Sequence, residues 1–147
     1  MLFRSCNPLP KANLYIANFE SLKFVVDSKI WKTCDFLVVD ESTFIANFKT
    51  IRVKQLKKIC GSFKKRICMT GSPSPSGKLT ELFAQTFILD GGKRFGKSFW
   101  SFQRKYYDSD FMGYTWVLKP GAKKAIEDKI RDISVTMTAK EDRKSDV

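Results

Sequence analysis

Residues Phe36 to Thr43 read FLVVDEST: four apolar residues run straight into two adjacent carboxylates, Asp40 and Glu41. A short, wholly apolar run of this kind predicts a strand of a parallel sheet covered on both faces. Side chains at the C-terminal tip of such a strand enter the crevice where open α/β sheets take their ligands. Asp40 is placed there to hold magnesium, directly or through water, because magnesium keeps several waters and needs few protein carboxylates. Glu41, one residue on, points elsewhere and can polarise a water. A second short run follows in KKRICMTGSPSPSG, Lys64 to Gly77, and ends in Thr70-Gly71-Ser72-Pro73. It predicts the neighbouring strand. Thr70, Gly71 and Ser72 at its tip would touch the carboxylate site and pass its state to bound nucleic acid.

Working outward, residues 1–12 carry two prolines and read as an arm or linker. A strand is predicted over Asn13 to Phe19, and a helix over Glu20 to Trp31 with Leu22, Val25, Val26 and Ile30 on one face. Lys49 to Cys60 reads as a helix with Val53, Leu56, Ile59 and Cys60 as its apolar stripe and lysines opposite. Arg66 to Met69 is a short strand. Pro73 and Pro75 make Ser72 to Ser76 a loop. Leu79 to Leu89 is a helix stopped by Asp90-Gly91-Gly92. An aromatic helix spans Ser98 to Tyr107, a strand Thr115 to Leu118, a turn Pro120-Gly121, a helix Ala122 to Arg131 and a strand Ile133 to Met137. Residues 140–147 form a charged tail. Strands alternating with helices predict an α/β fold with a mostly parallel sheet flanked by helices.

Composition narrows the classes. At 147 residues, with 43% apolar and 14% aromatic content, the chain reads as one globular domain with room for a core. It contains no apolar window long enough for a transmembrane helix and no secretory leader, which predicts a cytoplasmic protein and no membrane partner. Its four cysteines are widely spaced, no CxxC occurs, and histidine is absent. Zinc is therefore not expected, and Ser-His or Cys-His catalysis is excluded.

The net charge of +12 points to nucleic acid. Between Ser42 and Thr80 there is no acidic residue, whereas Lys49, Arg52, Lys54, Lys57, Lys58, Lys64, Lys65, Arg66 and Lys78 are basic. A second cluster holds Lys93, Arg94, Lys97, Arg104 and Lys105. Lys49, Arg52, Lys57, Lys64, Lys65, Arg94 and Lys97 are the candidate phosphate contacts, with DNA favoured over RNA.

The order and spacing of these motifs resemble part of the first RecA-like lobe of superfamily two helicases, specifically Swi/Snf-type DNA translocases and their short phage versions. VVDES resembles the family's magnesium motif and MTGSPSPSG its TGTP motif. YIANFESL, Tyr15 to Leu22, resembles the preceding strand-to-helix motif, which in the family approaches the DNA backbone and brings in Asn18. FILDGGKRFGKSFWSFQRKYY and the later KPGA also look like the phage type. The resemblance covers Asn13 to about Ala139. It implies ATP and magnesium as cofactors, Asp40 as metal ligand, Asp40 and Glu41 as catalytic residues and, for a phage-encoded chain, the host cytoplasm. Thr43 stands where many relatives have histidine, and Ser72 replaces threonine while keeping the hydroxyl. The family's upstream Gly-Lys-Thr phosphate loop and its second lobe have no counterpart here, so little or no ATP hydrolysis by this chain alone is expected. The alternative is a non-enzymatic module, such as a phage-encoded inhibitor or regulator, that binds nucleic acid or protein. Without the phosphate-loop strand, a sheet edge would be left open to self-association or a protein partner.

Two features stay open at the level of sequence. Gly91, Gly96, Lys97 and Ser98 match G-x-x-x-x-G-K-S, which allows a permuted phosphate loop, although Lys93, Arg94 and Phe95 crowd its interior. Phe95, Phe99, Trp100, Phe102, Tyr106 and Tyr107 either stack on bases or pack a core, since the residues at 95, 99, 102 and 106 share one helical face.

Overall fold

Phe36–Val39 forms strand β1, and Lys65–Cys68 forms β2. They pair in parallel, Phe36 opposite Lys65 and Val39 opposite Cys68. The structure is a computed structural model that describes residues 11–112 and 114–137. Most of the expected N-terminal arm, Cys6 and the expected tail 140–147 lie outside the described residues.

Helices precede, join and follow this pair along the chain. A 3₁₀ turn, Phe19–Ser21, leads into α1, Leu22–Ser28. Lys29 then turns left-handed, with φ 58°, before a second 3₁₀ turn, Ile30–Thr33, so the helix predicted over Glu20 to Trp31 is broken there. Helix α2, Ile51–Ile59, starts where the Thr50 hydroxyl accepts the Val53 N–H at 3.4 Å. Its stripe of Val53, Leu56 and Ile59, continued by Cys60, is buried, and Lys54 and Lys58 are exposed, as the spacing predicts. Helix α3, Glu81–Asp90, stops at Gly91, whose φ of 73° suits glycine.

The core of this region gathers on one side of the strands. Val39, Ile45, Val53, Leu56, Ala84 and Ile88 are buried together, with Leu37 and Cys68 packed against them. A ring cluster adjoins it. Phe83 lies 4.8 Å from Phe48 and 5.1 Å from Phe102, and Phe95 is also 5.1 Å from Phe102. Each such ring pair adds about 0.5–1.5 kcal/mol to the burial itself. The aromatic run is thus largely core: Phe95, Phe102, Tyr106 and Tyr107 are buried, whereas Trp100 is exposed.

The chain divides into two compact units, Met1–Gln103 and Arg104–Val147, with α4, Phe99–Tyr106, running across the division. In the second unit, β3, Tyr107–Ser109, and β4, Trp116–Leu118, form an antiparallel hairpin. Gly121 then leads into α5, Ala122–Ile130, where Ala122 and Ile126 are buried.

The expected mostly parallel, RecA-like sheet is not what forms. Among the described residues there is one two-stranded parallel sheet and one two-stranded antiparallel sheet. Two predicted strands fail for a common reason. Over Asn13 to Phe19, Leu14 and Ile16 stay exposed and only Ile16 makes an isolated bridge. Over Ile133 to Met137, Val135 is 90% exposed and Ile133 ends a 3₁₀ turn. An alternating apolar pattern becomes a strand only when a neighbour pairs with it. Nor is β1 covered on both faces. Leu37 and Val39 turn inward, while Phe36 and Val38 remain about half exposed, at 49% and 48%. No helix among the described residues is long and apolar enough to cross a membrane.

Candidate functional site

Asp40 and Glu41 emerge at the C-terminal tip of β1, as expected, and both are exposed. Asp40 Oδ1 accepts the Glu41 N–H at 2.9 Å. No ion pair holds either carboxylate among the described residues. Glu41 sits in the left-handed region, at φ 46° and ψ 56°. For a residue with a Cβ this costs about 1–2 kcal/mol, and such strain persists only where the surroundings over-determine it.

Those surroundings join the two sequence motifs. The Met69 N–H donates to the Val39 carbonyl at 2.9 Å, and the Ser42 N–H donates to the Met69 carbonyl at 2.9 Å. Ser42 is fully buried, and its Oγ donates to Gln85 Oε1 at 2.7 Å. Gln85 is 5% exposed, and its Nε2 donates to the carbonyls of Pro73 at 2.6 Å and Glu81 at 3.2 Å. A buried glutamine therefore ties the turn after Asp40-Glu41 to the loop after Thr70-Gly71-Ser72. Neither Ser42 nor Gln85 was singled out by sequence. The available signal was a lone glutamine inside the apolar run LFAQTFIL. Thr70 Oγ1 donates to the Ser72 carbonyl at 3.2 Å and accepts the Ser72 N–H at 3.3 Å, closing its own loop. Gly71 is exposed, with open space where a Cβ would stand.

The Gly91–Ser98 match to a phosphate loop has a different occupant. Asp90 Oδ1 accepts the N–H groups of Gly92 at 2.7 Å and Lys93 at 3.1 Å, while Oδ2 accepts that of Arg94 at 3.0 Å. The Arg94 guanidinium pairs with the same carboxylate at 3.4 Å, and the Asp90 side chain is only 7% exposed. The amides that would cradle a phosphate are already satisfied by the chain's own anion. Gly92 also has φ 88°, and a Cβ there would stand 2.7 Å from the Gly96 carbonyl oxygen. Its glycine is explained by that close approach. These residues do not fit a triphosphate. Asp40 does suit magnesium that brings its own waters. Among the described residues no group of three or more Asp, Glu, Cys or His could hold a metal by protein ligands alone.

The candidate nucleic-acid residues all fall in the first unit but differ in what engages them. Asn18 Oδ1 accepts the Ser21 N–H at 3.1 Å, and also the Ser21 hydroxyl, as the cap of the turn before α1. Arg52 pairs with Glu20 at 3.2 Å and lies over the rings of Phe44 and Phe19. The Lys57 ammonium stands 4.1 Å from the Phe48 ring centroid and 4.8 Å from that of Phe87. Lys64 pairs with Asp35 at 2.9 Å, with both side chains exposed. Lys49, Lys65 and Lys97 are exposed. Lys49 also lines a cleft of about 320 Å³ with Phe48, Phe99, Thr80 and Glu81.

Burial raises two thiols. The Cys68 thiol is pushed up to about 12. Burial also raises Cys60, partly offset by the Arg66 guanidinium beside it. Both behave as small core residues rather than reactive thiolates.

Over 103 residues the chain is 30% identical to protein p41 of Acyrthosiphon pisum secondary endosymbiont phage 1, a match covering 65% of this chain and 22% of that protein. The chain thus spans about a fifth of the length of this curated relative. No protein-family profile matches the sequence, and no solved structure matches it.

Proposed function

We propose that this chain is a nucleic-acid-binding module, with DNA favoured, that carries the Asp-Glu and Thr-Gly-Ser-Pro motifs of a Swi/Snf-type helicase but hydrolyses ATP poorly or not at all alone. The observation that carries this reading is where the charge sits. The unit that holds both motifs has 17 Lys or Arg against 7 Asp or Glu, and its stretch from Ser42 to Thr80 has no acid at all. Clustered cations bind phosphate backbones by releasing condensed counterions. Asp90 filling the only phosphate-loop match speaks against independent turnover. Magnesium would sit at Asp40, with Glu41 positioning a water, only where a phosphate loop from outside these 147 residues brings ATP to the site. The likeness to a phage protein supports a phage-encoded chain acting in the host cytoplasm.

The test is oligonucleotide binding followed by anisotropy across a salt series, with and without magnesium and ATP. Binding should weaken steeply with salt, with a log–log slope of about 0.9 per phosphate contact on duplex DNA. Absence of binding at low salt would sink the reading. Robust DNA-stimulated hydrolysis, abolished by Glu41→Gln, would overturn its non-catalytic half.

A specific observation also favours a protein partner. The outer face of the parallel pair presents Phe36, Val38 and Ile67, all more than two-fifths exposed, and each strand keeps one edge outside the pair. Open edges and apolar faces seek partners. Light scattering at several concentrations should then show a dimer that Val38→Lys abolishes, and a monomer throughout would remove the self-association form.

A further inference from the structure

The two ends of the parallel pair carry opposite charge. Asp40 and Glu41 stand exposed after the C-terminal tip of β1. At the other end two lead-ins meet. The 3₁₀ turn Ile30–Thr33 runs into β1, and the last turn of α2 runs through residues 60–63 into β2. The Lys65 N–H donates to the Asp35 carbonyl at 3.1 Å, and the Lys64 ammonium pairs with the Asp35 carboxylate at 2.9 Å, which fastens the two together. Across residues 27–35 and 57–66 the acids are Asp27 and Asp35 alone, and Lys64 already engages Asp35. Lys29, Lys32, Lys58 and Lys65 are exposed around this junction, and none has an ion pair among the described residues. Lys29 also holds the left-handed position after α1, at φ 58°, where glycine is the unstrained choice. A lysine there is not explained by the backbone.

We propose that this end of the first unit docks the phosphate backbone of nucleic acid without regard to sequence, so that the chain binds by the end opposite Asp40 and Glu41 and leaves that tip open. The inference rests on the nucleic-acid reading above and adds which face meets the ligand; every residue it uses lies in the first unit. Three points select the partner and the face. All four free cations are lysines, point charges that meet phosphate oxygens, whereas base edges are read chiefly by forked or amide side chains. The guanidinium at this end, that of Arg66, is turned to the Cys60 carbonyl at 3.2 Å. Next, the four residues of β1 set Asp40 about 13 Å from the start of the strand, at about 3.3 Å per residue. That exceeds a screening length of about 8 Å at physiological salt, so the carboxylates scarcely weaken the basic end. Finally, a helix lying on an anionic bilayer shows apolar residues beside its lysines, but α2 buries Val53, Leu56 and Ile59 in the core.

The test measures binding of the full chain to labelled oligonucleotides of several scrambled sequences across a salt series. Lys32→Ala/Lys65→Ala should bind at least roughly tenfold more weakly and lower the log–log salt slope on duplex by about 2, since two phosphate contacts are lost. Lys32→Arg/Lys65→Arg keeps both charges and should bind like the parent, which separates lost charge from lost folding. Lys123→Ala/Lys124→Ala removes the same charge from the second unit and should bind like the parent. Acetylation of the bound parent should spare Lys29, Lys32, Lys58 and Lys65 and still modify Lys78, which lies in the loop after the β2 tip. Protection of Lys78 with Lys32 and Lys65 still reactive would overturn the proposal. If the parent binds no oligonucleotide, the nucleic-acid reading fails and takes this inference with it. If the parent binds and the two alanine variants weaken equally, only net charge matters and the docking face alone fails. A strong preference for one sequence would overturn the backbone contact. Loss of binding to phosphatidylglycerol vesicles in Lys32→Ala/Lys65→Ala, with oligonucleotide affinity unaltered, would assign the face to a lipid surface instead and overturn it too.

Discussion

Asp40 and Asp90 both sit at the end of a regular element, each beside a string that reads as a nucleotide motif. Their surroundings are opposite. Asp90 is nearly buried and accepts three backbone N–H groups and a guanidinium. Asp40 is exposed, accepts one N–H from its neighbour, and leads into a residue held in strained backbone. A carboxylate whose lone pairs are met by its own loop is part of the fold. One left open to solvent beside a strained residue is a candidate for chemistry. The comparison separates two motifs that look equally suggestive as text.

The strongest way to break it is to delete each carboxylate. Asp90→Ala leaves three amides without their acceptor and removes the Arg94 guanidinium's ion pair with Asp90, and should destabilise by about 3–5 kcal/mol, as when one partner of a buried pair is removed. Asp40→Ala should change stability by no more than about 0.5 kcal/mol, the range of ordinary surface changes. Urea unfolding of both variants checks this, and similar losses would erase the distinction.

The same contrast shows what could be read from text. The βαβ-like order of β1, α2 and β2, the buried stripe Val53, Leu56, Ile59, and the stop at Gly91 were legible, because periodicity and terminal glycine act locally. The size of the sheet was not. Whether Leu14 and Ile16 join a strand depends on a neighbour far away in sequence, and no local pattern supplies it. In the site, the positions of Asp40 and Glu41 at a strand tip were legible. The Ser42–Gln85 link was not, since it spans 43 residues and depends on how α3 packs. The sequence marks Asp90 only as part of a helix stop, whereas in the structure its carboxylate also fills the loop behind it.

A middle-sized effect probes that link. Gln85→Ala strands the buried Ser42 hydroxyl and the Pro73 carbonyl, at a cost of about 1–3 kcal/mol for an unsatisfied buried group. It should also loosen the 70–76 loop, seen as faster amide exchange at Ser42, whose N–H is bonded to Met69. Unchanged exchange would mean that the two motifs are held together by the strand pairing alone. Smaller still is Glu41→Gly. Relief of left-handed strain, offset by the greater freedom of glycine when unfolded, should stabilise by about 0.5–1 kcal/mol. Destabilisation instead would show that the Glu41 side chain has a structural partner, which accounts for its presence at this strained position without any chemistry.

The smallest effect concerns Cys68, on the covered side of β2, and compares the buried layer with the open tip it supports. Burial pushes its thiol from an ordinary 9.0 up to about 12. The folded state therefore keeps the proton over a range where the unfolded chain has released it. With fewer protons on the unfolded side, stability falls as pH rises through that window. The contribution is fully present below pH 9 and is lost progressively towards pH 12. Cys68→Ala removes this source of pH dependence, so its melting temperature should decline less steeply than the parent's above pH 9, whatever its value at neutral pH. The comparison of slopes cancels the lysines that titrate in the same range, since both proteins carry them equally. Parallel slopes would mean that the Cys68 thiol ionises freely, and hence that the layer beneath Asp40 and Glu41 is wetter than its packing against Val39 and Ile45 implies.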